Sequence, residues 1–314
     1  MQPILKPANK SGRRKFLHDL SALAALGLLG FTSDGDAGGR SPATGQPATA
    51  MPSISLGPHR ISRLICGSNP FSGYSYMGHH TNQQMREYFT TERIIEVLDE
   101  CEQAGITVHQ GSGAAGYLGP LHDSGSGMRL ILLQSSRDEI SKIKDLPNLT
   151  GLSHHGGVTD RLLAEGKFEL VHDYVKEVRD NGLLAGVSAH NPDCIKRIAD
   201  EGWEVDFFMC SFYFLTRGRF ISDDSPTLDV VGTWFGREDP EIMTKVIRQV
   251  SQPCLAFKIL GGGRHCSNQN SVRAAFRFAF ENIKPTDGVI VGMFPWQFDE
   301  VTANTEYTAE LGRL

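Results

Sequence analysis

The chain lacks the features that would place it in a specialised class. Basic residues do not dominate: 31 Lys and Arg stand against 36 Asp and Glu, a formal net charge of -5. No electrostatic footprint for a nucleic-acid backbone is therefore present. Cysteine is scarce, with six in 314 residues, which excludes a small disulfide-framed scaffold. Cys66, Cys210 and Cys254 fall in or beside apolar runs, where a thiol packs as a small hydrophobe. Long apolar runs are also missing. The stretch at 20–31 is shorter than the roughly 20 residues a membrane-spanning helix needs, and no other segment is apolar for longer. No stable membrane anchor is expected.

What is present begins with a distinct N-terminal segment. Arg13-Arg14, then Phe16-Leu17, then the apolar stretch at 20–31 resemble a twin-arginine export signal. Residues 32–53 are rich in Gly, Ser, Ala, Pro and Thr, the composition of a cleavage region and linker. Ala37 and the A-x-A at 48–50 are candidate cleavage positions, and no Cys follows the apolar stretch closely enough for a lipid anchor. The resemblance implies that residues 1–50 are signal and linker. It also implies that the twin-arginine translocase is a partner and that the protein is exported to the periplasm or beyond.

Residues 54–314 suffice for one large domain, and one α/β barrel typically needs about 250 residues. Apolar runs at 61–67, 106–110, 129–133, 149–154, 183–188, 205–211, 254–259 and 288–292 read as strands. Helical patterns follow most of them, at 91–104, 137–144, 160–181, 192–202, 240–250, 271–282 and after Trp296. Gly182, Gly202 and Gly288 sit where a turn from helix to strand calls for positive φ. Eight alternations are what a (β/α)8 TIM barrel requires. Five strand ends carry polar, glycine-rich signatures: NPFSGY at 69–74, VHQGSG at 108–113, SHHGG at 153–157, SAHNP at 188–192 and FKILGGGR at 257–264. In a parallel barrel these ends converge on one face, where catalytic groups collect.

The order of motifs resembles the aldo-keto reductase family. Glu102-Gln103-Ala104-Gly105-Ile106-Thr107-Val108 is similar to that family's entry into strand two, and Gly186-Val187-Ser188 to its fifth strand. The run from Val289-Ile290-Val291-Gly292 to Asn304 is similar to its eighth strand and final helix. The resemblance implies a catalytic Asp, Tyr, Lys and His. Gln110 stands in place of the Asp, and Leu133-Gln134-Ser135 in place of the Lys. Tyr117 is the candidate for the Tyr, at stretched spacing, and His154 or His155 fits the fourth position. A Tyr without its Lys and Asp is a weak acid near pKa ~10. The loop Met293-Phe294-Pro295-Trp296 lacks the cations that the family sets on the cofactor phosphate. NADP is therefore disfavoured, and a divalent metal is the alternative cofactor.

The candidate catalytic residues are His155, His190, Lys258, His154 and Tyr117. Adjacent strand residues point to opposite faces, so only one of His154 and His155, and one of His109 and Gln110, faces the mouth while the strand stays regular. His109, His155 and His190 are candidate metal ligands, as imidazole donors. Lys258, at the end of strand seven, suits an anionic substrate, an enolate oxygen or a Schiff base; a rim ion pair is the structural alternative. Arg264 closes the Gly261-Gly262-Gly263 run, whose amides suit a phosphate or carboxylate. Asn69, Tyr74, Gln110 and Tyr213 are candidates for binding a hydroxylated substrate. His79 and His80 read as solvated loop.

These residues point to an exported barrel enzyme acting on a small carbonyl- or hydroxyl-bearing substrate, sugar-derived in character. The chemistry is acid–base or metal-assisted, of lyase, isomerase or hydratase type. Two other readings stay open: a divergent NADP-dependent reductase, and a non-catalytic periplasmic ligand-binding barrel.

Overall fold

A computed structural model describes residues 50–217 and 234–313. The expected signal and linker, up to residue 49, lie outside the described residues. The chain enters through an antiparallel hairpin, β1 (Ser53–Leu56) and β2 (His59–Ser62). Eight parallel strands follow: β3 (Leu64–Gly67), β4 (Val108–Ser112), β5 (Arg129–Leu133), β6 (Leu149–His154), β7 (Leu184–Ala189), β8 (Phe207–Ser211), β9 (Cys254–Phe257) and β10 (Gly288–Gly292). They close in chain order, with β10 paired to β3. The eight expected strands are all present, and the fold is a (β/α)8 barrel.

The first expected strand, 61–67, is divided at Arg63. Its first part belongs to the hairpin and its second to the barrel. Arg63 is buried, and its guanidinium donates to the carbonyls of Asp287, Gly312 and Lys284 at 2.8, 2.7 and 3.0 Å. The hairpin plugs the floor: Ile54, Leu56 and Ile61 join Ile65, Val108, Ile131, Phe207, Met209, Leu255 and Ile290 in one apolar cluster. Phe207 fills the middle of the bore because two strands leave room for it. A Cβ on Gly186 would lie 2.3 Å from its ring, and one on Gly151 3.2 Å. Gly288 also needs small size, not positive φ as the sequence suggested. It lies within β10, where a Cβ would come 3.0 Å from the Arg63 carbonyl.

The helices wrap the barrel. In order they are α1 (His79–Tyr88), α2 (Thr91–Gln103), α3 (Leu118–Asp123), α4 (Arg137–Ile143), α5 (Gly156–Ala164), α6 (Glu169–Asp180), α7 (Pro192–Asp200), α8 (Asp239–Gln249), α9 (Gln269–Asn282) and α10 (Glu300–Leu311). Thr90 caps α2 by accepting from the Arg93 amide at 3.3 Å. The long helix expected at 160–181 is two. Gly166, at φ +68°, ends α5, with Lys167 N–H on the Leu162 carbonyl at 2.8 Å and Gly166 N–H on that of Leu163 at 3.1 Å. A new helix, α6, begins after the break and packs on β7.

Candidate active site

Strand parity sorts the candidate residues. On β6, Leu152 and His154 face the helices, so Ser153 faces the bore, and His155 follows the strand as the exposed, extended N-cap residue of α5. His154 is buried, with Nδ1 2.8 Å from the Thr159 hydroxyl and its ring 4.9 Å from that of Tyr174. Burial, helped by nearby His155, lowers its pKa to about 4. His154 is thus a neutral packing residue and does not reach the mouth with His155.

The same parity turns His109 outward and Gln110 inward. His109 is fully buried; Nδ1–H donates to the Cys66 carbonyl at 3.0 Å, which leaves Nε2 to accept from the Tyr117 hydroxyl at 2.8 Å. Tyr117 lies in the apolar layer between strands and helices, and desolvation raises its pKa above the ordinary value. This corrects two expectations. His109 cannot join His155 and His190 around a metal, and among the described residues no group of three or more His, Cys, Asp or Glu side chains is placed to hold one. Tyr117 is packed in that layer with its hydroxyl on His109 Nε2, and is not gathered with His155 and His190.

What does converge gathers at the ends of three neighbouring strands. Ser153, Ser188 and Ser211 lie on β6, β7 and β8, and His155, His190 and Tyr213 each follow two residues later, just past the strand ends. The Ser211 hydroxyl donates to the Tyr213 carbonyl at 2.9 Å. The Ser153 hydroxyl is fully buried without a hydrogen-bond partner. This Ser-x-His, Ser-x-His, Ser-x-Tyr pattern was readable in the sequence as a period-two signal, but it gains meaning only once three strands are neighbours.

His190 is anchored by a residue that the sequence did not single out. Asp160, buried in α5, accepts from His190 Nδ1–H at 2.9 Å. It also accepts from the amides of His190 and Asn191, each at 3.1 Å, and from the Thr216 hydroxyl at 2.8 Å. Nδ1 carries the proton, so Nε2 is the basic nitrogen of the neutral ring. Phe257 meets the His190 ring edge-on at 5.7 Å. His155 opens to the mouth, yet desolvation, then His190 and Lys258, lower its pKa; Asp160 opposes them.

Lys258 follows β9 in a left-handed conformation, φ +61°. Its ammonium lies 4.8 Å from the Tyr76 ring centroid and 4.6 Å from that of Phe257. No carboxylate pairs with it among the described residues, so the rim ion pair weighed from the sequence is not formed there. The glycine run 261–263 is a short 3-10 turn with all three residues at positive φ. Arg264 lays its guanidinium 3.7 Å from the Phe235 ring centroid and donates to the Gly261 carbonyl at 3.1 Å. The Tyr213 hydroxyl contacts His265 Nε2 at 2.9 Å, and burial raises the Tyr213 pKa. Asn69 and Tyr74 are exposed in the loop after β3, Tyr74 at 62%. Gln110 is buried in the bore with Nε2 on the Gly111 carbonyl. His79 and His80 are exposed in the first turn of α1, away from this set.

A cavity of about 570 Å³ lies near the start of β7, lined by residues that include Lys176, Arg179, Glu204 and Asp206. Arg179 is paired with Asp206 there at 2.7 Å. This is the amino end of the strands, whereas barrel chemistry collects at the carboxyl end; the polar cluster and the strained backbone lie at that end, and the candidate site is placed there.

No protein-family model and no curated protein matches the sequence. Solved structures do. An aldo-keto reductase from Bacillus halodurans in its holo form superposes with a TM-score of 0.51 at 13% identity, over 82% of this chain and 90% of that one. A glycerol dehydrogenase from Gluconobacter oxydans gives 0.49 at 10% identity, over 85% and 97%. A truncated 3-deoxy-D-arabino-heptulosonate 7-phosphate synthase from Thermotoga maritima gives 0.47 at 16% identity, over 84% and 90%. The fold is a TIM barrel of aldo-keto reductase-like architecture. At these identities the likeness is one of fold, and the chemistry must be argued from the site.

Proposed function

We propose that the protein is an enzyme that moves a proton on a small carbonyl- or hydroxyl-bearing substrate, of lyase, isomerase or hydratase type. The observation that carries this reading is the Asp160–His190 pair at 2.9 Å, on the same mouth as His155 and Lys258. Asp160 fixes the His190 tautomer and favours the imidazolium that forms when Nε2 takes a proton, as an orienting carboxylate does for a catalytic histidine. His155, with its pKa lowered, is neutral around pH 7 and can exchange a second proton. An acid and a base on neighbouring strands are what enolisation or β-elimination needs. Exposed Tyr74, Trp234, Trp296 and Phe298 on loops at this end suit stacking on the faces of a sugar-derived substrate.

The test is proton exchange. Wild type is incubated in deuterated water with dihydroxyacetone, pyruvate and a set of ketoses, and washing-in of deuterium beside the carbonyl is followed by NMR. His190→Gln and Asp160→Asn should each slow the exchange by about 10²–10⁴-fold. Equal rates in wild type and both variants would defeat the reading.

We also propose export by the twin-arginine route, on the strength of Arg13-Arg14 and the apolar stretch that follows. N-terminal sequencing of protein recovered from the cell envelope should begin between residues 37 and 53. Recovery of an intact N-terminus from the cytoplasm alone would reject this.

A further inference from the structure

We propose that the substrate is a carboxylic acid and that Lys258 receives its carboxylate. This rests on the proton-transfer reading above and names the substrate class for that mouth.

The first support is backbone strain. Among the described residues only three other than glycine have left-handed φ: Tyr76 at +57°, Asn148 at +59° and Lys258 at +61°. Asn adopts that region readily; Tyr and Lys do not. Such residues persist where the surroundings hold them, and they cluster at binding and catalytic sites. Here the two strained residues touch each other, with the Lys258 ammonium over the Tyr76 ring. Gly262, itself at φ +58°, makes space, because a Cβ there would lie 3.1 Å from the Cβ of Tyr76. Two loops that are far apart in sequence are shaped around one ammonium group.

The second support is charge. Asp160 already accepts four protein hydrogen bonds from nitrogen and hydroxyl donors. Asp239 is occupied by Arg217 and by the Phe214 and Gly236 amides. Arg264 is engaged by the Gly261 carbonyl and the face of Phe235. Among the described residues half-buried Lys258 has only aromatic faces, which hold the ammonium without neutralising it. A positive group so placed takes an anion. One monovalent cation matches one carboxylate, whereas a phosphate dianion asks for several converging donors.

The third support is the Ser153 hydroxyl, fully buried and unpartnered, facing the bore two residues before His155. It offers a hydrogen bond to a substrate oxygen. A hydroxy or keto acid bound through Lys258 would present its neighbouring carbons to His155 and His190.

The experiment is calorimetric titration of the whole protein with matched pairs: pyruvate against acetone, glycerate against glycerol, gluconate against glucitol. Pyrophosphate and NADPH are titrated alongside. At least one acid should bind saturably, with its neutral counterpart weaker by on the order of 10- to 100-fold, the scale of one charged hydrogen bond. Lys258→Met should lose that binding while melting as wild type does, because the methionine keeps the apolar stem. His190→Gln should keep it, which separates this inference from the proton-transfer reading. Neutral counterparts that bind equally well, acid binding that survives Lys258→Met, no acid binding at all, or binding confined to pyrophosphate or NADPH would each overturn the proposal.

Discussion

At the scale of the residue, the decisive feature is how completely Asp160 is satisfied. Its carboxylate gathers two amides, one imidazole N–H and one hydroxyl inside the protein. Asp160→Asn turns one acceptor into a donor and sets it against those groups. The expected cost is about 1–3 kcal/mol of stability, read by urea denaturation, together with the loss of exchange described above. His190→Gln should lose exchange with a smaller stability change, since the amides and Thr216 keep their acceptor. An Asp160→Asn variant as stable as wild type would show that the carboxylate is not the anchor. The histidines were legible in the sequence because they close apolar runs, and strand parity stated the choice between His154 and His155. Asp160 was not legible, because it sits within a helical pattern 30 residues before its partner. Tyr76 and Phe235 lie in segments with no period to betray them.

At the scale of the element, the strands were readable and their company was not. Eight apolar runs gave eight barrel strands, since buried parallel strands are nearly continuous in hydrophobic character. The hairpin escaped because β2 runs into β3 with only Arg63 between them. Helix α1 escaped because His79–Tyr88 buries only Met85, which leaves no apolar stripe to recognise. The division of α5 from α6 depends on the capping at Gly166, and the apolar positions alone continue past it. Arg63 is the clamp between elements: it ties the entry strand to the turn before β10 and to the end of α10. Arg63→Met should cost about 3 kcal/mol or more, because three inward carbonyls lose their donor and buried Asp287 loses a nearby cation. Chemical denaturation measures it. A loss below about 1 kcal/mol, the size of one ordinary hydrogen bond, would contradict the clamp.

At the scale of the whole molecule, two groups shielded from water, buried His154 and half-buried Glu300, set opposing responses to acid. His154 has its pKa lowered to about 4 from 6.5, chiefly by burial. The unfolded chain takes up a proton that the native ring refuses, so this contribution is complete above about pH 6.5 and fades as pH falls toward 4. Glu300 is raised to about 7 from 4.5 by burial, against the Phe294 amide that it accepts from at 2.8 Å. There the native state keeps a proton that the unfolded chain has released, so the contribution is complete below about pH 4.5 and fades as pH rises toward 7. Each displacement is worth about 3 kcal/mol at most, and the signs oppose. Between pH 4.5 and 6.5 the two slopes should largely cancel in the wild type. Glu300→Gln should uncover stability that climbs with pH across this range, and His154→Asn stability that declines. Denaturation curves at several pH values decide it, and two variants that run parallel to wild type would reject both assignments.

The left-handed backbone at Lys258 has a consequence for how the molecule responds to selection. A lysine there holds the native state about 1 kcal/mol or more above what a glycine would allow. Lys258→Gly should therefore raise the melting temperature by about 2–4 °C for a domain of this size. A library screened only for heat resistance should enrich glycine or asparagine at position 258, and the clones that carry it should be inactive. Thermostability and turnover then become opposed traits at a single codon, and the position can be found as a working part of the protein before any substrate is known.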